Sequence, residues 1–142
     1  MLVVLRMIGA LTPWVEETPA RDELHCLAEN IYREARGEPV MGQVAVAHVT
    51  LTRARSAHYP DTICGVVHDP HQFSWTRERN LPAKRYEPWA GAVEIAAHVY
   101  AGFVADPTLG ADHYYAPAKV EPAWAAELQQ TAMIENHRFL KR

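Results

Sequence analysis

Apolar residues recur at spacings of three and four through Leu24, Leu27, Ala28 and Ile31, the pattern of a helix with one buried stripe. Thr18-Pro19 supplies a start, with Thr as N-cap and Pro at the first helical position, and Arg36-Gly37 ahead of Glu38-Pro39 supplies a stop. The pattern therefore predicts a helix from Pro19 to Arg36. At 100° per residue Glu34 lies about 20° from Leu27 and about 60° from Ile31, while Glu29 lies on the far side. A carboxylate thus continues the buried stripe into the last helical turn.

Beyond Pro39, residues Val40, Val44, Ala47 and Leu51 keep the helical spacing while Val46 and Val49 fill other faces, which predicts a nearly fully buried helix from Val40 to Arg55. Asp61 or Thr62 suits the cap of a short helix ending near His68, and Asp69-Pro70 breaks it. From His71 to Pro88 the chain is polar and aromatic without periodicity, the profile of a long functional loop. A further helix follows from Trp89 to Val104, closed by Asp106-Pro107. Near the C-terminus, His113-Tyr114-Tyr115 and Met133 to Leu140 suit strands of a small antiparallel sheet, with a short helical candidate at Ala123 to Gln130. The sum is a mainly helical α+β domain, residues 18–142, behind an N-terminal segment at 1–17.

Composition narrows the function. The chain has 142 residues, 49% hydrophobic and 22% charged, which fits one ordinary globular domain. A net charge of -3 and scattered arginines leave no basic stripe for nucleic acid. The apolar stretch Met1 to Leu11 is interrupted by Arg6 and falls short of the roughly 20 residues that span a bilayer, so it reads as a segment packed on the core and not as an export signal. Cys26 and Cys64 either pair in an oxidising compartment or pack as small buried hydrophobes.

Glu34 carries the chemistry of greatest interest. Burial and the negative end of the helix dipole both disfavour its ionised form, which is how a general acid is made. A helix-end glutamate paired with Arg36 or another cation is the alternative reading.

The run Cys26-Leu-Ala-Glu-Asn-Ile-Tyr-Arg-Glu-Ala-Arg-Gly-Glu-Pro39, followed by Gly42-Gln-Val-Ala-Val-Ala47, resembles the SleB/CwlJ family of cell-wall hydrolases. Four later blocks, Tyr59 to Val67, Gln72 to Trp75, His113 to Ala116 and Asn136 to Phe139, are similar to that family's in the same order. The resemblance implies a lysozyme-like fold acting on peptidoglycan glycan strands, with Glu34 as the catalytic residue and no cofactor or metal. It also implies substrate contacts from Gln72, Phe73 and Ser74 in the long loop. His113, Tyr114 and Tyr115 are expected on a strand, the first and third sharing a face, and Asn136 and His137 on the last strand.

Protonation of the glycosidic oxygen by Glu34, then base catalysis toward the C6 hydroxyl of N-acetylmuramic acid, gives a 1,6-anhydro product without a second carboxylate. Two positions depart from the family pattern. Asp112 stands where a threonine is expected and, facing Glu34, would direct the outcome toward hydrolysis; Glu135 stands where a glycine is expected. His68-Asp69-Pro70-His71 raises a zinc amidase as the rival enzyme, although no HExxH is present. A monomeric lytic domain without a clear export signal suits a phage endolysin released by a holin, with no stable membrane insertion.

Overall fold

The computed structural model describes the backbone of residues 14–142 and the side chains of residues 20–142. Helix α1 (Trp14–Ala35) is followed by α2 (Val40–Ala54), α3 (Ile63–Val67) and α4 (Tyr86–Tyr100), then by three strands, β1 (His113–Tyr115), β2 (Gln129–Ile134) and β3 (His137–Lys141). Short 3-10 turns occupy Ser74–Arg77 and Ala123–Glu127. The expected packing of Met1 to Leu11 on the core lies outside the described residues. None of the described helices is long and apolar enough to cross a membrane.

Helix α2 explains the architecture. Its Val44, Ala47 and Leu51 enter a core with Leu27 and Ile31 of α1, Val66 and Val67 of α3, and Ala92 and Val99 of α4. Its Ala45 and Val49 enter a second cluster with Ala111 and Phe139 beneath the sheet. A helix packed between two layers is apolar on nearly every face, and that is why Val46 and Val49 broke the simple stripe in the sequence. Only its first turn escapes, where Val40 and Met41 are exposed.

Several element boundaries differ from expectation. Helix α1 begins at Trp14, so Thr18-Pro19 lies inside it; proline there removes one backbone donor without ending the helix. It stops as expected, at Ala35, with Gly37 in the left-handed region at φ 87°. Helix α4 begins at Tyr86 and not at Trp89, because Pro88 falls in the first turn, where backbone N–H groups have no intrahelical acceptor anyway. It ends at Tyr100, short of Val104. Gly102 adopts φ 83°, and the N–H groups of Gly102 and Phe103 close back on Val99 and His98 in a Schellman cap. The long loop thereby loses its last residues to α4 and gains the 3-10 turn within it.

The sheet is antiparallel with order β1-β3-β2. Tyr114 faces Phe139 and Tyr115 faces Arg138 in the β1–β3 register. The run Met133 to Leu140 is not one strand: Glu135 and Asn136 form a two-residue turn joining β2 to β3, and Glu135 takes φ 50°. The helical candidate Ala123 to Gln130 reduces to the 3-10 turn, because Gln129 and Gln130 pair with Lys141 and Leu140 instead.

A disulfide joins Cys26 of α1 to Cys64 of α3, settling the choice the sequence left open. Beside it the Glu23 carboxylate accepts from the backbone N–H groups of Ile63 and Cys64, and the Thr62 hydroxyl caps the same helix by accepting from Gly65 at 2.9 Å.

Candidate active site

Glu34 projects from the last turn of α1 toward the sheet. The Tyr114 hydroxyl of β1 donates to Glu34 Oε2 at 3.1 Å. Burial pushes the Glu34 carboxyl above the usual glutamate range; the Tyr114 hydrogen bond and the nearby Arg53 charge pull against that shift and do not cancel it. Tyr114 itself is held well above the ordinary tyrosine value by its own burial and by the neighbouring carboxylate, so it stays a hydroxyl and donates. Glu29 points the other way, toward Lys84 at 3.0 Å and Arg33 at 3.6 Å, as the helical phase requires.

Helices α1 and α2 and the Ser74–Arg77 turn hold this carboxyl in place. One turn before it, the fully buried Asn30 donates to Thr50 Oγ1 of α2 at 3.2 Å and accepts from Trp75 Nε1 at 3.0 Å. Every polar group in that buried set has a partner, so it fixes α1, α2 and the Ser74–Arg77 turn against one another. Arg53 of α2, 6% exposed, donates from Nε to the Asp112 carbonyl at 2.7 Å and from Nη1 to Gln72 Oε1 at 3.4 Å. Its guanidinium also stacks 5.2 Å from the Tyr59 ring and 5.4 Å from the Phe73 ring. A single cation thereby ties the long loop to the start of β1 and places positive charge near Glu34.

A cleft of about 300 Å³ opens on Glu34, lined also by Tyr32, Arg36, Ser74, Glu78 and the Leu81-Pro82 edge of the loop. The Tyr32 hydroxyl accepts from Arg36 Nη1 and from the backbone N–H of Arg85, each at 2.9 Å, which pins the far end of the loop to α1.

The other sequence candidates divide into three groups. Tyr114 contacts Glu34, and Ser74 lines its cleft. His137 lies on the same side, its ring 5.7 Å from Tyr114 and its Nδ1 3.7 Å from Glu38 Oε1. Gln72 is exposed, with its side-chain oxygen on Arg53. Phe73 is 3% exposed and packs in the main core, so it offers no face to a sugar; the turn that follows it buries the ring. Asn136 is exposed in the β2–β3 turn and is not part of the last strand. His113 and Tyr115 share a face, as alternation predicted, and that face is turned away from Glu34: both stack on Trp124, at 5.0 and 5.7 Å between ring centroids.

The Asp112 carboxylate is taken up by His113 Nδ1 at 2.8 Å and Arg142 Nε at 3.7 Å. The groups acting on Glu34 are Tyr114 and Arg53. His68 and His71 do not converge: one stacks on Trp75, and the other meets Arg77 Nη1 at 3.0 Å. Among the described residues, no three His, Cys, Asp or Glu side chains gather as a metal-ligand group.

Sequence reasoning missed Arg53, Tyr32 and Glu78. Arg53 had a readable signal, an arginine inside a helix otherwise read as buried. Tyr32 and Glu78 had none, because the cleft that joins them exists only after the loop folds back on α1.

A shielded carboxyl group, hydrogen-bonded on one side and open to a cleft on the other, is an arrangement suited to general-acid chemistry. The chain belongs to the cell wall hydrolase family, whose model matches residues 37–140, opening just after Glu34. It is 34% identical over 122 residues to the spore cortex-lytic enzyme of Oceanobacillus iheyensis, a match covering 86% of this chain and 42% of that protein. The Bacillus subtilis spore cortex-lytic enzyme is 31% identical over 84% of this chain and 38% of its own length. The chain therefore spans about two fifths of the curated relatives it matches.

Among solved structures, the catalytic domain of the germination-specific lytic transglycosylase SleB from Bacillus anthracis superposes with a TM-score of 0.72 at 33% identity, covering 84% of this chain and 93% of that one. The Bacillus cereus SleB catalytic domain gives 0.73 at 32% identity, covering 85% and 91%. The mainly helical fold with its small C-terminal sheet is the fold of those catalytic domains.

Proposed function

We propose that this domain cleaves the β-1,4 bond between N-acetylmuramic acid and N-acetylglucosamine in peptidoglycan as a lytic transglycosylase, with Glu34 as its only catalytic carboxylate. The observation that carries this reading is the environment of Glu34: a carboxyl group whose pKa burial raises, at the wall of an open cleft. Cleaving a glycosidic bond requires a proton on a poor leaving-group oxygen, and a carboxylic acid that resists ionisation supplies it near neutral pH. The same pattern occurs in hen lysozyme, where an apolar pocket raises the catalytic glutamate.

After leaving-group departure the Glu34 carboxylate accepts the proton of the C6 hydroxyl, which closes on C1 and leaves a 1,6-anhydro end. Tyr114 supports both halves of this cycle. Its hydroxyl orients the acid before proton transfer and stabilises the carboxylate afterwards. Engagement of Asp112 by His113 and Arg142 favours a single-carboxylate reaction over a hydrolytic one that would use Asp112 beside a water. The likeness to a lytic transglycosylase catalytic domain supports the same choice.

The wall is the proposed site of action, and the Cys26–Cys64 disulfide suits an oxidising compartment of that kind. A phage-borne enzyme, monomeric and released by a holin, is the setting we propose. Digestion of purified peptidoglycan followed by mass spectrometry of the fragments tests the chemistry. Anhydromuramyl ends are expected; reducing muramyl ends would reassign the enzyme to hydrolysis, and free peptides to an amidase.

A further inference from the structure

His113 and Tyr115 entered the sequence reading as site residues, yet strand alternation turns them away from Glu34. What they build on the outer face of the sheet is a second concave site. A cavity of about 370 Å³ lies there, walled by Tyr115, Arg138, Glu121, Ala123 and Ala125. Tyr115 and Arg138 are register partners across β1 and β3, and Arg138 Nη1 donates to the Tyr115 hydroxyl at 3.0 Å. The Arg138 guanidinium stands 5.7 Å from the Tyr115 ring. The opposite wall is the 3-10 turn Ala123–Glu127, held down by Trp124 stacking on His113 and Tyr115. Its small alanines leave the space open.

The electrostatics of this cavity are incomplete. Arg138 Nε is buried and finds no hydrogen-bond acceptor among the described residues. Neither Arg138 nor Glu121 has an ion-pair partner within 4.0 Å among the described residues, and the two do not pair with each other across the space they share. A guanidinium on one wall and a carboxylate on the other suit a ligand that brings both a carboxylate and an ammonium.

We propose that this cavity binds the zwitterionic amino-acid end, an ammonium and a carboxylate on one carbon, that diamino-acid side chains of peptidoglycan stem peptides present. The carboxylate is received by the Arg138 guanidinium, the ammonium by Glu121, and the short alkyl stem lies along Ala123 and Ala125. The assignment rests on the wall-cleaving reading above and deepens it: one face of the sheet serves the glycan bond and the other holds the peptide.

The test uses a disaccharide-peptide muropeptide with a free diaminopimelate end, and the same muropeptide with that end's carboxylate amidated, titrated into the full chain by calorimetry. The free-ended probe is expected to bind at least tenfold more tightly than the amidated one. Glu121→Gln, at an exposed position, is expected to remove at least tenfold of that affinity while leaving turnover of peptide-stripped glycan unchanged; Arg138→Gln, once shown folded by circular dichroism, is expected to do the same. Equal affinity for the two probes, or no binding at millimolar concentration, overturns the proposal. A chain that discriminates the probes but cleaves no glycan sinks the glycosidase reading alone, and one that cleaves glycan without discriminating sinks only the peptide site.

Discussion

Taking the Glu34 carboxyl out of water raises its pKa, and the same desolvation weakens the fold wherever the group must ionise. Because the folded value lies above the unfolded one, the folded state binds more protons between the two, and stability falls as pH rises through that window. Glu34→Gln removes the penalty. The variant is expected to melt above wild type at pH 7, with the gain disappearing below about pH 4, where the unfolded carboxyl is itself protonated; an unchanged difference at both pH values would show that Glu34 is not desolvated. Tyr114→Phe deletes the hydrogen bond that favours the carboxylate. The Glu34 pKa should then rise further and the alkaline limb of the pH–rate profile move to higher pH, with kcat down roughly two- to tenfold for one lost hydrogen bond. A limb that moves toward acid would contradict the assigned direction. Glu34 was legible from helical phase because it continues the buried stripe of its own helix, whereas its partners Tyr114 and Arg53 come from β1 and α2. Arg53 binds groups on the loop and on β1, and no local period reports such contacts.

At the scale of elements, the disulfide ties the helix that carries Glu34 to α3 across a sequence separation of 38. Closing a loop of that length restricts the unfolded chain by about 4 kcal/mol in the chain-entropy account, and measured values for native bridges run about 2–5. Reduction, or Cys26→Ala with Cys64→Ala, is expected to lower stability by about 2–4 kcal/mol in denaturant titration; a change under about 0.5 would mean the bridge does not constrain the fold. The β2–β3 turn places Glu135 at φ 50°, where a side chain is disfavoured. Here the departure from the family's expected glycine acquires a physical meaning. Glu135→Gly is expected to raise stability by about 0.5–1 kcal/mol, relief of strain exceeding the added freedom of the unfolded chain. Thermal unfolding of the variant checks this, and a lower midpoint would refute it. The interiors of the helices were readable from spacing, and their ends were not. Pro88 reads as a breaker in sequence and as a first-turn residue in the fold, and Gly102 stops α4 before the Asp106-Pro107 signal is reached. The hairpin was hidden for a related reason: the left-handed residue of its turn is Glu135, and glutamate carries no local mark of that conformation.

Across the whole molecule, α2 is the common wall of both hydrophobic clusters, and the proposed active site sits where its two layers meet. The acid comes from α1, its hydrogen-bond donor from β1 and its neighbouring cation from α2. Such a site requires the sheet to dock before Glu34 is shielded. The fold class and the Glu34, Tyr114 and Ser74 positions could be anticipated from the chain, whereas the cleft could not. Its far wall is a loop without period, and its lining joins residues more than forty positions apart. The most direct measurement is the rate of glycan cleavage by wild type and folded Glu34→Gln on peptide-stripped peptidoglycan, followed as new anhydromuramyl ends. Loss of the general acid is expected to slow cleavage by a factor of about 10² to 10⁴. A variant that cleaves within a few-fold of wild type would contradict the account.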